Sequence, residues 1–175
     1  LIVDDTPDNL AELHHLLKEL YRVKAARDGF RALEIAQMSP QPDLILLDLM
    51  MPEIDGFEVC KRLKLNPQTS HIPVVFYSAS HRPEDEEQAL QLGAVDYLAK
   101  PVAPGLVLAR IATQLALKNA QQALQDSNRM LESSVREKTA DLARMQDALL
   151  MVMALMAEAR DPDANRHIRV TQQLV

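Results

Sequence analysis

Five polar side chains stand immediately after short apolar runs in this sequence. Asp4 and Asp5 follow Leu1-Ile2-Val3, Asp48 follows Leu44-Ile45-Leu46-Leu47, Ser78 follows Pro73-Val74-Val75-Phe76-Tyr77, and Lys100 follows Val95-Asp96-Tyr97-Leu98-Ala99. Brought together, three carboxylates repel one another unless a cation lies among them. An all-oxygen donor set with few protein contacts suits Mg2+, which keeps waters and binds through carboxylates plus a phosphoryl group. Lys100 as a point charge and Ser78 as a donor suit phosphate oxygens. A carboxylate can also act as the nucleophile and become an aspartyl phosphate. The set therefore suits phosphoryl transfer onto a side chain, with the charge neutralised by metal and lysine. One such acid alone would read as a turn former or a helix cap; the whole set does not.

These residues need elements that deliver them to one place. Short apolar runs bounded by turn signals read as buried parallel strands. The run Leu44 to Leu47, cut off by Asp48 and followed by Pro52 and Gly56, is the clearest. A further strand, Tyr21 to Ala26, ends on no polar residue of note. Leu10, Leu13, Leu16, Leu17 and Leu20 recur at helical spacing, with Thr6 or Asp8 placed to cap. Three more helices are expected over Arg31 to Met38, Phe57 to Leu63 and Pro83 to Leu92. Pro83 suits a first helical position, Glu84, Asp85, Glu86 and Glu87 suit the positive end of the dipole, and Gly93 suits a stop. Alternating strands and helices predict an α/β fold: a doubly wound, five-stranded parallel sheet with helices on both faces. Ligands bind such sheets beyond the carboxyl ends of the strands, where the five candidate residues occupy four strand ends.

In their order and spacing, Leu1-Ile2-Val3-Asp4-Asp5, Asp48 with Met51-Pro52 and Asp55-Gly56, Ser78-Ala79, and Tyr97 with Lys100-Pro101 resemble the motifs of response-regulator receiver domains. The resemblance covers residues 1–117 and implies a flavodoxin-like receiver. It implies that Asp48 is the phosphoacceptor and Asp5 the main acidic Mg2+ ligand. Asp4 assists through water, and the Met50 backbone carbonyl completes the protein's share. It further implies that Lys100, in a cis peptide with Pro101, contacts the phosphoryl group. Ser78 is the switch hydroxyl and Tyr97 the switch aromatic. Phosphorylation would draw Ser78 inward, and Tyr97 would rotate into the space vacated. A cognate histidine kinase or phosphotransfer protein is the implied donor.

From Leu106 to Asp161 the chain has no Gly or Pro and is dominated by good helix formers. Its apolar residues keep a heptad. Val135, Leu142, Leu149 and Met156 fill one seam, and Leu117, Leu124, Leu131, Met145 and Val152 the other, with Asn128 and Lys138 as polar interruptions. Such a pattern predicts a parallel dimeric coiled coil over 118–160, continuous with the receiver's last helix, whose polar seam residues set register. Asp161-Pro162 should break it. Residues 161–175 are similar to the opening of an HD-GYP phosphodiesterase domain, with Asp163 and His167 at an acid-to-histidine spacing that implies metal ligation. They depart from that family in having Asp for the usual Glu and Asn165 where Gly is common. No His-Asp dipeptide and no Gly-Tyr-Pro occur, so the catalytic core, with its transition-metal site, is expected outside this chain. The chain is accordingly expected to be a fragment, starting within its first strand and ending in mid-domain. The reading for the intact protein is a response regulator that hydrolyses cyclic di-GMP. Two alternatives are a hybrid sensor kinase phosphorylated on His167, and a receiver with a coiled coil that serves as a scaffold for a partner protein.

The net charge of −6 and scattered basic residues argue against nucleic-acid binding. A single Cys60 excludes an internal disulfide framework and suits a small core position. No signal peptide or membrane segment is legible, which suits a cytoplasmic protein.

In receivers the residues two beyond the phosphoacceptor and two beyond the switch hydroxyl flank the approach of hydrolytic water; here they are Met50 and Ser80. An apolar Met50 offers that water no hydrogen bond. Phosphate should therefore be lost over minutes or longer when the isolated, labelled protein is followed with Mg2+ present; a lifetime of seconds would contradict this.

Overall fold

The computed structural model describes residues 1–160. The elements are β1 (Ile2–Val3), α1 (Pro7–Leu17), β2 (Ala25–Ala26), α2 (Gly29–Gln37), β3 (Ile45–Leu47), α3 (Gly56–Leu65), β4 (Val74–Ser78), α4 (Pro83–Gln91), β5 (Asp96–Ala99) and α5 (Pro104–Arg160). The strands form one parallel sheet in the order β2-β1-β3-β4-β5, so the expected doubly wound α/β fold is present. The chain turns to β2 on one side of β1 and then crosses to β3 on the other. The switch point thus lies between β1 and β3, where a crevice opens beyond the strand ends.

Successive strand residues feed opposite faces. Ile45, Leu47, Val74 and Phe76 pack with Ala32, Val59, Cys60, Leu63 and Ala89 from α2, α3 and α4. Ile2, Leu46, Val75 and Leu98 pack with Leu10, Leu13, Leu17, Val107 and Ile111 from α1 and α5. Burying one side chain of this size stabilises by about 1.5–3 kcal/mol, so the central strands are anchored on both sides. Cys60 is fully buried in the first cluster, as a small core residue.

Local chemistry sets the helix starts. Asp28 accepts a hydrogen bond from Arg31 N at 2.7 Å, and Asp55 from Glu58 N at 2.8 Å, caps worth about 1 kcal/mol each. Thr6 occupies the N-cap position of α1 but makes no side-chain cap bond. Its N–H and hydroxyl are directed instead to Asp4 and Asp5.

Two expected elements are shorter than their patterns. The strand expected over Tyr21 to Ala26 is only Ala25–Ala26, because it is an edge strand whose single neighbour, β1, is itself two residues long. Tyr21 and Val23 are apolar because they pack against the α1/α5 cluster, not because they pair. Helix α1 stops at Leu17, and Leu20, which continues the helical spacing, is 65% exposed.

The chain divides into two units, Leu1–Gln121 and a second that begins at Gln122. The first contains the sheet. In the second, the described part of α5 from Gln122 to Met156 exposes its seam residues Leu124, Leu131, Val135, Leu142, Met145, Leu149, Val152 and Met156. No described helix is long and apolar enough to cross a membrane. Asp163 and His167 lie outside the described residues.

Two glycines differ sharply in what a methyl group would meet. A Cβ on Gly56 would lie 2.3 Å from the Asp48 carbonyl oxygen and 2.9 Å from Leu49 Cα, whereas one on Gly105 meets nothing within 4 Å. Gly56→Ala should therefore cost about 1–3 kcal/mol in urea unfolding, since backbone must move. Gly105→Ala, inside α5, should be stabilising by about 0.4–1 kcal/mol.

Candidate functional site

Register brings the candidate residues together. Val3 pairs with Leu47, and Asp48 N donates to Val3 O at 2.8 Å, so the chain leaves β1 and β3 with Asp4 and Asp48 side by side. Ser78 pairs with Ala99, and Lys100 N donates to Ser78 O at 2.7 Å, which sets Lys100 beside the end of β4. The Lys100-Pro101 peptide is cis, as the resemblance implied.

Asp4, Asp5 and Asp48 each offer a carboxylate oxygen, and these atoms lie within 4.8 Å of one another. Asp4 is 1% exposed and Asp48 7%, while Asp5 faces solvent. Asp4 is heavily bonded: it accepts from Thr6 N at 2.9 Å, from Asn9 Nδ2 at 3.0 Å to both oxygens, and from Lys100 Nζ at 2.7 Å. Asp48 receives only a 3.4 Å contact from the same Nζ among the described side chains. Lys100 also stands 4.7 Å from the Tyr77 ring centroid, a favourable place for a cation. Three carboxylates against one ammonium leave the cluster negative. The donor set is thus hard, oxygen-only and short of positive charge, which fits a divalent cation such as Mg2+.

The loop after β3 shapes the floor. Gly56 N donates to Leu49 O at 2.9 Å, and Ile54 N donates to Pro52 O at 2.8 Å across Glu53, whose φ is +68°. That hydrogen bond closes a γ-turn, a strained form that persists only when its surroundings hold it. Met50, in this loop, is 68% exposed.

At the end of β4, Ser78 is fully buried and its Oγ accepts from Ser80 N at 3.3 Å. Tyr97 is half-buried, lies stacked on Phe76 with ring centroids 6.0 Å apart, and donates its hydroxyl to Ser80 O at 3.0 Å. Asp4, Asp5, Asp48 and Lys100 therefore converge, Ser78 borders them, and Tyr97 is linked to Ser78 through Ser80. Sequence reasoning missed Asn9, Tyr77 and Asp85. Asn9 is a polar residue in the first turn of a Leu-rich helix, a weak signal that was available. Asp85 looked like its exposed neighbours Glu84, Glu86 and Glu87 but is buried.

Burial lifts the Asp48 carboxyl above the usual aspartate range; the nearby Lys100 charge opposes this and Asp4 adds to it. The folded domain consequently holds that proton more tightly than the unfolded chain does. Stability falls as pH climbs from the ordinary aspartate value through the raised folded one, and above that window ionised Asp48 is a cost. With divalent cations chelated at neutral pH, Asp48→Asn should melt at a higher temperature than the parent. Added Mg2+ should narrow the gap by stabilising the parent. Equal melting temperatures in chelator would show that the carboxylate carries no such cost.

Residues 1–112 match the family model described as response regulator receiver domain. Over all 175 residues the chain is 46% identical to the Vibrio cholerae protein named "Probable cyclic di-GMP phosphodiesterase", and spans 40% of that protein. Over 119 residues, 67% of the chain, it is 44% identical to response regulator PleD of Caulobacter vibrioides, and spans 26% of it. The chain thus covers less than half the length of these relatives. Among solved structures, the signal receiver domain of a signal transduction histidine kinase from Syntrophus aciditrophicus superposes with a TM-score of 0.61 at 33% identity. That match covers 66% of this chain and 87% of the other. A two-strand switch point bearing a cluster of acids, a lysine and a buried serine agrees with these matches: the chain belongs to the response regulator receiver domain family.

Proposed function

We propose that Asp48 accepts a phosphoryl group from a phosphohistidine on a cognate kinase or phosphotransfer protein. Receiver domains interact with such proteins and bind Mg2+ through acidic residues. The supporting observation is the convergence of three carboxylates and one ammonium at the β1/β3 switch point, with Asp48 the buried acid least engaged by hydrogen bonds. An Asp48 carboxylate oxygen forms the new bond to phosphorus, and the phosphorus–nitrogen bond of the donor breaks, its electron pair returning to the imidazole. Asp5, with Asp4, Asp48 and the Met50 carbonyl, would hold the Mg2+, which supplies positive charge to the transferring phosphoryl oxygens. Lys100 would leave its contact with Asp4 to meet a phosphoryl oxygen, and Ser78 Oγ would donate to another. Movement of Ser78 is transmitted to Tyr97 through Ser80.

Residues 1–117 form the phosphoacceptor domain in this reading, 118–160 a coiled-coil linker, and 161–175 the start of an output domain. The exposed seam of α5 would be covered by the same seam of a second copy, giving a parallel homodimer that carries the switch onward. For the whole protein the output is hydrolysis of cyclic di-GMP by a metal-dependent HD-GYP domain. It is supported by identity to the Vibrio cholerae relative extending along the entire chain, linker included. Asp163 and His167 would contribute to that domain's metal site.

Incubation with labelled acetyl phosphate and Mg2+ should phosphorylate the chain on Asp48, and Asp48→Asn or chelation should abolish labelling. Undiminished labelling of Asp48→Asn would overturn the assignment. In sedimentation equilibrium the chain should be a dimer, and Leu142→Asp, which puts a charge in the seam, should return it to monomer.

A further inference from the structure

Among the described residues three carboxylates are buried: Asp4 and Asp48 in the acidic cluster, and Asp85, 4% exposed, outside it. Asp85 lies in the first turn of α4, yet its side chain turns back onto the loop between β4 and α4. It accepts a hydrogen bond from the Ser80 hydroxyl, and the Arg82 guanidinium grips both its oxygens, Nε to Oδ2 at 3.1 Å and Nη2 to Oδ1 at 2.8 Å. Two parallel bonds from a planar guanidinium fix geometry as well as charge.

Every polar group of Ser80 is thereby used, each by a different element. Its hydroxyl goes to Asp85 of α4, its N–H to Ser78 Oγ of β4, and its carbonyl oxygen receives the Tyr97 hydroxyl of β5. The loop cannot shift without changing where Ser78 points and what Tyr97 can reach. An exposed acid at a helix start would do none of this.

We propose that Asp85 is a positioning residue of the switch: through Ser80 and Arg82 it holds the β4–α4 loop where the Ser80 carbonyl captures Tyr97, favouring the inward tyrosine. The inference rests on the reading of Ser78 and Tyr97 as the switch pair, and it adds the element that sets their resting balance. A ligand shifts such a balance only by its differential affinity for the two forms, and its apparent affinity scales with the fraction already in the competent form. Loosening the loop lowers that fraction.

The test uses the full chain in three variants, Asp85→Ala, Asp85→Asn and the milder Ser80→Ala, with unfolding curves run to confirm that each folds. Carbon-13 spectra of the tyrosine rings, Tyr97 being assigned by Tyr97→Phe, are recorded without phosphodonor. Both alanine variants should move the Tyr97 ring signal towards that of a solvent-exposed tyrosine, and Asp85→Asn, which retains a partner for the Ser80 hydroxyl, should move it less. Binding of beryllofluoride with Mg2+ should weaken about fivefold or more in Asp85→Ala, but less than about twofold when Tyr97→Phe is already present. An unmoved ring in folded Asp85→Ala and Ser80→Ala, or an equal loss of affinity with and without the Tyr97 hydroxyl, would overturn the proposal. The ring signal is read on unphosphorylated protein. A ring that moves in a chain unable to bind beryllofluoride would support the positioning role while sinking the phosphoacceptor reading.

Discussion

The structure of this domain depends on one electrostatic fact: three carboxylates crowd the gap between β1 and β3 with a single ammonium to offset them. At an effective dielectric of about 20, like charges at this separation repel by about 3.5 kcal/mol per pair. Asp4 accepts hydrogen bonds from Thr6, Asn9 and Lys100. Asp48 has burial without comparable hydrogen bonding, and its proton is correspondingly hard to remove. The same imbalance suits the cluster to a divalent cation and, in the function proposed, to a modification that changes the charge on Asp48.

Holding such a cluster requires a rigid frame, and the sheet supplies it. The strands are two to five residues long, but β3 and β4 are buried on both faces by side chains that feed two separate apolar clusters. Close-packed interiors transmit small displacements rather than absorb them. Gly56 lets α3 approach the Asp48 carbonyl more closely than any side chain would allow, and the turn at Glu53 is held in a conformation that a free peptide would leave. The chemistry sits on the strained and polar rim of an otherwise apolar structure.

The two units have different sources of order. The first closes its own core, with Val107 and Ile111 of α5 completing the second apolar cluster. The second is helical by composition but exposes an apolar seam along its described length. Helices in water gain most of their stability from covering such a face rather than from propensity. Asn128 interrupts that seam with a polar side chain; in the dimer proposed, such a residue would cost stability while selecting a register.

Much of this was legible in the residues alone. Apolar runs cut off by Asp4, Asp48, Ser78 and Lys100 indicated the parallel sheet and which residues share its edge, because ligands in such folds bind beyond the carboxyl ends of neighbouring strands. The heptad and the absence of Gly and Pro indicated the long helix. Strand Tyr21 to Ala26 and the end of α1 were overextended, because apolar residues that only pack read the same as those that pair or continue a helix. What only the tertiary structure decided was which polar groups are satisfied and by whom. Lys100 lies nearer Asp4 than Asp48 across the folded sheet edge, while Asn9 on Asp4 and Arg82 over Asp85 are local contacts made only once the loop and the helix start take their folded shape. A linear pattern records a residue's type and its period, whereas burial and hydrogen bonding depend on neighbours that only folding brings within reach.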